Sequence, residues 1–292
     1  MKILVTGVKG QLGYDVVNEL EKRGHEAIGV DIDEMDITDK ASVDKVIGEI
    51  GPDGVIHCAA WTAVDLAEDE ENVPKVRKVN ADGTKNIAQA CKNLDIKMIY
   101  ISTDYVFNGQ GTNFWEPDEK DFAPLNVYGQ TKYEGECAVK ENLEKYFIVR
   151  IAWVFGKNGK NFIKTMLNLG KTHNKITVVN DQIGSPTYTF DLARLLVDMV
   201  ETEKYGIYHA TNEGICSWYD FACEIFKQAV EMGRYEYKDV EVIPVTSAEY
   251  PASKAKRPFN SRMSKDKLSE MGFERLPKWQ DALNRYLKEI EF

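Results

Sequence analysis

"KILVTGVKGQLG", Lys2–Gly13, opens as a short apolar run and carries three glycines, Gly7, Gly10 and Gly13. An apolar run that stops at glycine suits a parallel strand buried on both faces. Directly after it, Leu12, Val16, Val17 and Leu20 recur at helical spacing, with Gly24 as the C-cap. The GxxGxxG pattern therefore sits on a strand-to-helix turn. Such a turn aims backbone N–H groups and the positive end of the helix at one point, and glycine lets phosphate oxygens come close. Read this way, Gly7, Gly10, Gln11, Leu12 and Gly13 cradle the pyrophosphate of a dinucleotide. The competing reading is a glycine-rich turn that binds nothing. Its position at the first strand and first helix weighs against that.

The next strand, "EAIGVD", ends at Asp31, 18 residues beyond Gly13. A carboxylate there accepts hydrogen bonds from ribose hydroxyls and repels a 2′-phosphate, which leans towards NADH over NADPH. Asp33 is the neighbouring alternative. Residues 40–50 read as a helix, "DGVIHCAA" as a strand, and residues 79–94 as a helix whose Val79, Ile87, Ala90, Cys91 and Leu94 share a face. "KMIYISTDYVF" starts as a strand and loses its period at Ser102; a helix from about Val127 and a strand "YFIVRIAWVFG" follow. Strands alternating with helices imply right-handed crossovers and a parallel sheet covered on both faces. Beyond Gly156, helical stretches alternate with irregular segments that contain proline. The expected fold class is α/β: a Rossmann-type doubly wound parallel sheet over residues 1–155, to which some later segments return, and a smaller C-terminal α+β substrate lobe over most of 156–292.

The 292 residues are 43% hydrophobic and 29% charged, as in a globular protein, and the net charge of −10 argues against nucleic-acid or membrane-surface binding. Five cysteines form no CxxC, which suits a reducing cytoplasm and buried thiols. "ILV" after Lys2 is too short for a signal-peptide core, so the first residue is expected to begin the fold. The four histidines have no partners at metal-ligand spacing, and no metal is expected.

"NVYGQTK", Asn126–Lys132, puts Tyr128 and Lys132 at i and i+4, on one helix face. Free tyrosine titrates near ~10, and an ammonium within ~4–6 Å favours the phenolate. The pair therefore reads as a proton donor and the charge that acidifies it. The same spacing recurs at Tyr250 and Lys254, but Pro251 between them opposes a helix. The strand-end hydroxyls Ser102 and Thr103 are candidates for binding a carbonyl oxygen that gains charge. Adjacent strand residues point oppositely, so one of the two faces the site.

Taken together, the glycine turn, "CAAWTAVDLAE", "VNADGT", "STDYVF", "PLNVYGQTK", "WVFGKNGKNF", "NDQIGSPT" and "RPFNSR" resemble the extended short-chain dehydrogenase/reductases over nearly the whole chain. The resemblance implies a reductase that passes hydride from NADH or NADPH to the C4 ketone of a nucleotide sugar, dTDP-4-dehydro-L-rhamnose. It chooses Thr103 over Ser102, makes Tyr128 the acid, and gives Lys132 a second task on the nicotinamide ribose. It places Asp36 and Ile37 beside the adenine, Ala60, Trp61 and Thr62 along the cofactor, and Asn80 near the nicotinamide. Trp61 departs from the smaller residue or histidine common there. Thr103 and Asp104 should meet the sugar, Trp153 should pack against it, and Arg257 should pair with its diphosphate. Asp181, Gln182 and Thr187 either line the sugar pocket or form a turn feeding a helix at 188–201. Tyr105 stands where dehydratase relatives carry a glutamate, which removes an acid needed to eliminate water. The alternatives are a related sugar reductase or epimerase, and a non-catalytic dinucleotide-binding regulatory subunit. The expected partners are the nucleotide sugar and a second copy in a homodimer, with no nucleic acid and no membrane.

Overall fold

The structure is a computed structural model that describes residues 1–120, 122–250 and 253–290. The first half alternates as expected: β1 (Lys2–Thr6), α1 (Gln11–Lys22), β2 (Glu26–Val30), α2 (Lys40–Ile50), β3 (Gly54–His57), α3 (Val73–Arg77), α4 (Thr84–Asn93), β4 (Lys97–Thr103), α5 (Val127–Asn142) and β5 (Tyr146–Ile151). There follow β6 (Val154–Phe155), α6 (Phe162–Gly170), β7 (Lys175–Val179), β8 (Ile183–Gly184), β9 (Thr187–Tyr188), α7 (Thr189–Val200), β10 (Gly206–His209), β11 (Cys216–Ser217), α8 (Trp218–Glu231), β12 (Glu241–Val245), α9 (Asp266–Glu270) and α10 (Trp279–Glu289).

Six strands form one sheet in the order β10-β5-β4-β3-β1-β2. Every pairing in it is parallel. The period of two along each strand sends side chains alternately to two buried layers. Ile3, Val5, Ile56, Ile99, Phe147 and Val149 join Val16, Leu20, Leu192 and Leu196 on the face covered by α1 and α7. Leu4, Val55, Met98 and Ile148 join Val43, Ile47, Ile87 and Val139 on the face covered by α2, α4 and α5. The order reverses between β1, which leads outward to β2, and β3, which leads the other way. Such a switch point opens a crevice beyond the carboxyl ends of the strands.

A separate apolar cluster, with Phe155, Ile163, Leu167, Phe221, Ile225, Trp279 and Leu283, holds α6, α8 and α10 together. Two-stranded pairings β12–β7, β11–β8 and β6–β9 complete this part. The chain does not divide cleanly at Gly156. Strand β10 closes the large sheet, and Leu268, Phe273 and Leu276 pack into its core.

Candidate active site

A cavity of about 700 Å³ opens over the ends of β1, β3, β4 and β5. That is large enough for a small-molecule ligand. Gly7, Gly10, Gln11, Leu12 and Gly13 line one end. Gly7 has φ 71°, in the left-handed region, and its N–H donates to the Val30 carbonyl at 2.9 Å. A Cβ on Gly13 would lie 2.4 Å from the Gly7 oxygen, so the turn closes only without a side chain there. Helices α2, α5, α6 and α8 satisfy their first amides with the side chains of Asp39, Asn126, Asn161 and Ser217; α1, which begins at Gly10, has no side-chain cap, as is also true of α7 and α10, and it is the one whose first turn lines the cavity. Its first turn carries no acidic residue either. A bare, positively polarised helix end on a cavity fits a diphosphate.

Asp31, Asp36 and Ile37 line the same end. The Asp31 carboxylate accepts the Lys9 N–H at 3.1 Å and the Ile32 N–H at 2.9 Å. Asp33 instead pairs with the Lys9 ammonium and does not line the cavity. Of the two acids, Asp31 is the one on the cavity wall. Asp36 turns the chain by accepting from the Thr38 N–H and hydroxyl at 2.9 and 2.8 Å.

At the other end, Thr103, Asp104, Tyr128 and Lys132 meet. Both Ser102 and Thr103 line the cavity, contrary to the expectation that one of them does, but their hydroxyls diverge. Ser102 donates to Glu136 at 2.6 Å, on the α5 side, while Thr103 hydrogen-bonds Asp104 at 3.0 Å and also Tyr128. Asp104 is buried, and burial lifts its carboxyl to about 6 against hydrogen bonds from Ser261 and Thr103. The Tyr128 ring meets Tyr105 edge-on, with centroids 5.5 Å apart.

One expectation is corrected here. The sequence suggests a phenol acidified by Lys132. In the structure burial dominates, the Asp104 charge adds to it, and the Tyr128 phenol is pushed up; only the Thr103 hydrogen bond opposes. Lys132 is itself brought down to about 7 by burial, with its ammonium 4.1 Å from the Tyr100 ring centre. In both groups burial works against the charged form. The phenol thus stays protonated at neutral pH.

Ala60, Thr62 and Trp153 also line the cavity; Trp61, Asn80 and Arg257 do not. Asn80 is buried behind the wall, where its amide holds the Trp61 N–H at 2.8 Å and the Trp61 carbonyl at 3.2 Å. It positions that loop. Arg257 forms a two-pronged ion pair with Asp65 at 3.2 and 2.8 Å. Trp153 has φ 50° and stacks on Trp218 with ring centres 3.8 Å apart. Asp181 and Gln182 bind Ser247, and Thr187 binds the carbonyl of the lining residue Ala152, so the three tie loops together and none of them lines the cavity itself. Lys254 pairs with Asp69 on the surface, and Pro251 lies outside the described residues. Sequence reading missed Met35, Cys58 and Lys160 in the lining. Cys58 directly follows the end of β3 and could have been inferred from topology; Lys160 arrives from a distant loop with no local signal.

The family model for the RmlD substrate binding domain matches residues 1–292. The chain is similar to the dTDP-4-dehydrorhamnose reductase of Aggregatibacter actinomycetemcomitans, with 40% identity over 97% of each chain. It is also similar to two crystal structures of proteins named dTDP-4-dehydrorhamnose reductase. That from Clostridium acetobutylicum shares 42% identity over 99% of both chains with a TM-score of 0.93. That from Bacillus anthracis, in complex with NADP, shares 41% over 99% of both with a TM-score of 0.91. A match over the full length, on a fold whose glycine turn, Thr103, Tyr128 and Lys132 share one cavity, settles the classification: the chain belongs to the RmlD substrate-binding-domain family.

Proposed function

We propose that this protein is an NAD(P)H-dependent reductase that converts the C4 ketone of dTDP-4-dehydro-L-rhamnose to the alcohol of dTDP-L-rhamnose, for polysaccharide synthesis. The observation that carries the reading is the convergence of the uncapped glycine turn and the Thr103–Tyr128–Lys132 group on one cavity. The names of the similar proteins supply the substrate.

Bound along the turn, the reduced dinucleotide supplies the hydride. Gly7, Gly10, Gln11, Leu12 and Gly13 hold its diphosphate, Asp31 its adenosine ribose, and Asp36 and Ile37 flank the adenine. Ala60 and Thr62 continue the wall, with Trp61 held in place by Asn80. Lys132 binds the nicotinamide ribose. Thr103, turning its hydroxyl hydrogen away from Asp104, donates to the sugar C4 oxygen as charge grows on it, and Tyr128 gives that oxygen its proton. Asp104 anchors the strand end beside the sugar, and Trp153 offers a flat apolar wall. Arg257 reaches the substrate diphosphate only by leaving Asp65. The division into a dinucleotide lobe (1–155 and returning segments) and a sugar lobe (mainly 156–292) belongs to this reading, as do a cytoplasmic location and a homodimer.

Mixing the protein with NADPH or NADH and dTDP-4-dehydro-L-rhamnose tests the reading. Nicotinamide absorbance should fall in step with product; no oxidation with either dinucleotide refutes it and favours a binding subunit. Asp31→Asn should raise the NADPH-to-NADH ratio of kcat/KM by about tenfold, the equivalent of ~1.4 kcal/mol of relieved repulsion. An unmoved ratio in steady-state kinetics would show that Asp31 does not face the 2′ position.

A further inference from the structure

Tyr128, Lys132 and Glu136 follow one another at four-residue steps along α5, and the third has no place in the chemistry above. Glu136 and Arg150 form a salt bridge whose two side chains are both 0% exposed. Arg150 donates from Nε and from one terminal nitrogen to the two carboxylate oxygens, each at 2.8 Å. Ser102 donates to the same carboxylate at 2.6 Å, and Ser102 and Arg150 are direct partners across β4 and β5. The other guanidinium nitrogen reaches the Pro117 carbonyl at 3.2 Å, and the group lies 5.0 Å from the ring centres of both Phe107 and Phe122.

A fully buried ion pair is a weak device for stability, since well-packed apolar residues of similar size often do as well. Its site suggests a different purpose. We propose that the Glu136–Arg150 pair is a positioning device for the reaction, in which Ser102 and Arg150 orient the Glu136 carboxylate so that it keeps Lys132 an ammonium inside an apolar site. This inference rests on the reductase reading.

The surroundings of Lys132 leave this task to Glu136. His57 is brought down to about 3 by burial and the Lys132 charge, and is neutral near pH 7. Cys58 is pushed up to about 12 by burial, so its thiol is neutral too. The Tyr100 and Tyr128 phenols are both pushed up by burial. Around Glu136 itself stand Arg150 and the phenols of Tyr100, Tyr133 and Tyr146, all three raised and neutral. His209, next to Arg150, is pushed well down by burial. Glu136, one turn along α5 from Lys132, is therefore the anion whose charge opposes the desolvation of Lys132. Lys132 sits at about 7 even with this help, so losing the carboxylate would leave it neutral at working pH.

The test follows NADPH binding by nicotinamide fluorescence, and turnover, across pH on either side of neutral. Lys132→Met should lose the basic limb of the binding profile, which identifies the titrating group. Glu136→Gln should move that limb to lower pH by about 1 unit or more, and Glu136→Asp should largely restore it. Glu136→Gln leaves Arg150 buried and unpaired, so a lowered thermal midpoint is expected there. Glu136→Gln/Arg150→Met should recover the midpoint but keep the displaced limb. A folded double variant with the limb of the unmodified protein, or a limb that survives in Lys132→Met, overturns the proposal. Should neither Gln variant fold, Glu136→Asp with Arg150 intact decides: a limb near that of the unmodified protein supports the proposal, and one displaced as far as loss of the carboxylate predicts counts against it. Failure of the unmodified protein to turn over the sugar would sink the reductase reading alone, because the binding limb needs no turnover.

Discussion

Replacing Tyr128 with Phe is expected to lower kcat by about 10²–10⁴-fold, the range a positioned general acid contributes, while NADPH binding changes little. The substitution removes one oxygen from a ring that stays wedged against Tyr105, so the packing survives. What disappears is the proton for the new alcohol. In the proposed mechanism Thr103 is left to hold the oxygen, which would account for residual turnover. Stopped-flow oxidation of NADPH separates the two effects. Unchanged turnover would move the acid elsewhere, and the nearest candidate is then Asp104, whose carboxyl lies at about 6.

The second large effect is expected at Gly13. Alanine there would place Cβ 2.4 Å from the Gly7 oxygen, 2.8 Å from the Gly7 carbonyl carbon and 2.9 Å from the Val8 Cα. All three are backbone atoms, so no rotamer relieves the clash. Either the turn opens or α1 shifts, and α1 is fixed by Val16 and Leu20 in the core shared with α7. The turn is therefore the part that yields, and with it the aim of the amides on the diphosphate. A misplacement of about 1 Å at such a site costs ~10²-fold. Dinucleotide affinity by fluorescence titration should fall by about that factor, while circular dichroism retains the native spectrum. Affinity within about twofold of the unmodified protein would mean that the glycine turn is not the diphosphate site.

The parts of this fold that depend on local chemistry were readable in advance. Helix α2 spans Lys40–Ile50, the range expected from its apolar spacing, and the glycine turn joins the strand and helix assigned to it. The long helix expected at 79–94 begins earlier, at Val73, and passes through a π-helical turn at Lys78–Gly83. That turn adds a residue per loop and breaks the period on which the reading relied. The strand expected over 146–156 splits because Trp153 adopts φ 50°, a conformation that side-chain pattern does not encode. Strand β10 is only four residues long and declares itself through its pairing with β5. At the site, residue types and spacing marked Tyr128, Lys132 and the strand-end hydroxyls Ser102 and Thr103, and the family resemblance chose Thr103 of the two. The titration of Tyr128 and Lys132 was illegible, because burial is a tertiary property and is the largest influence on both groups. Arg257 and Asp65 lie 192 positions apart, so their pairing had no trace in the sequence.

The most direct measurement supplies NADPH deuterated at the transferable position of the nicotinamide C4, together with dTDP-4-dehydro-L-rhamnose, and reads the product by NMR. The account predicts deuterium at C4 of dTDP-L-rhamnose, with one oxidised dinucleotide released for each labelled sugar. A product without label at C4, or a bound dinucleotide that stays reduced in the presence of the sugar, would contradict it.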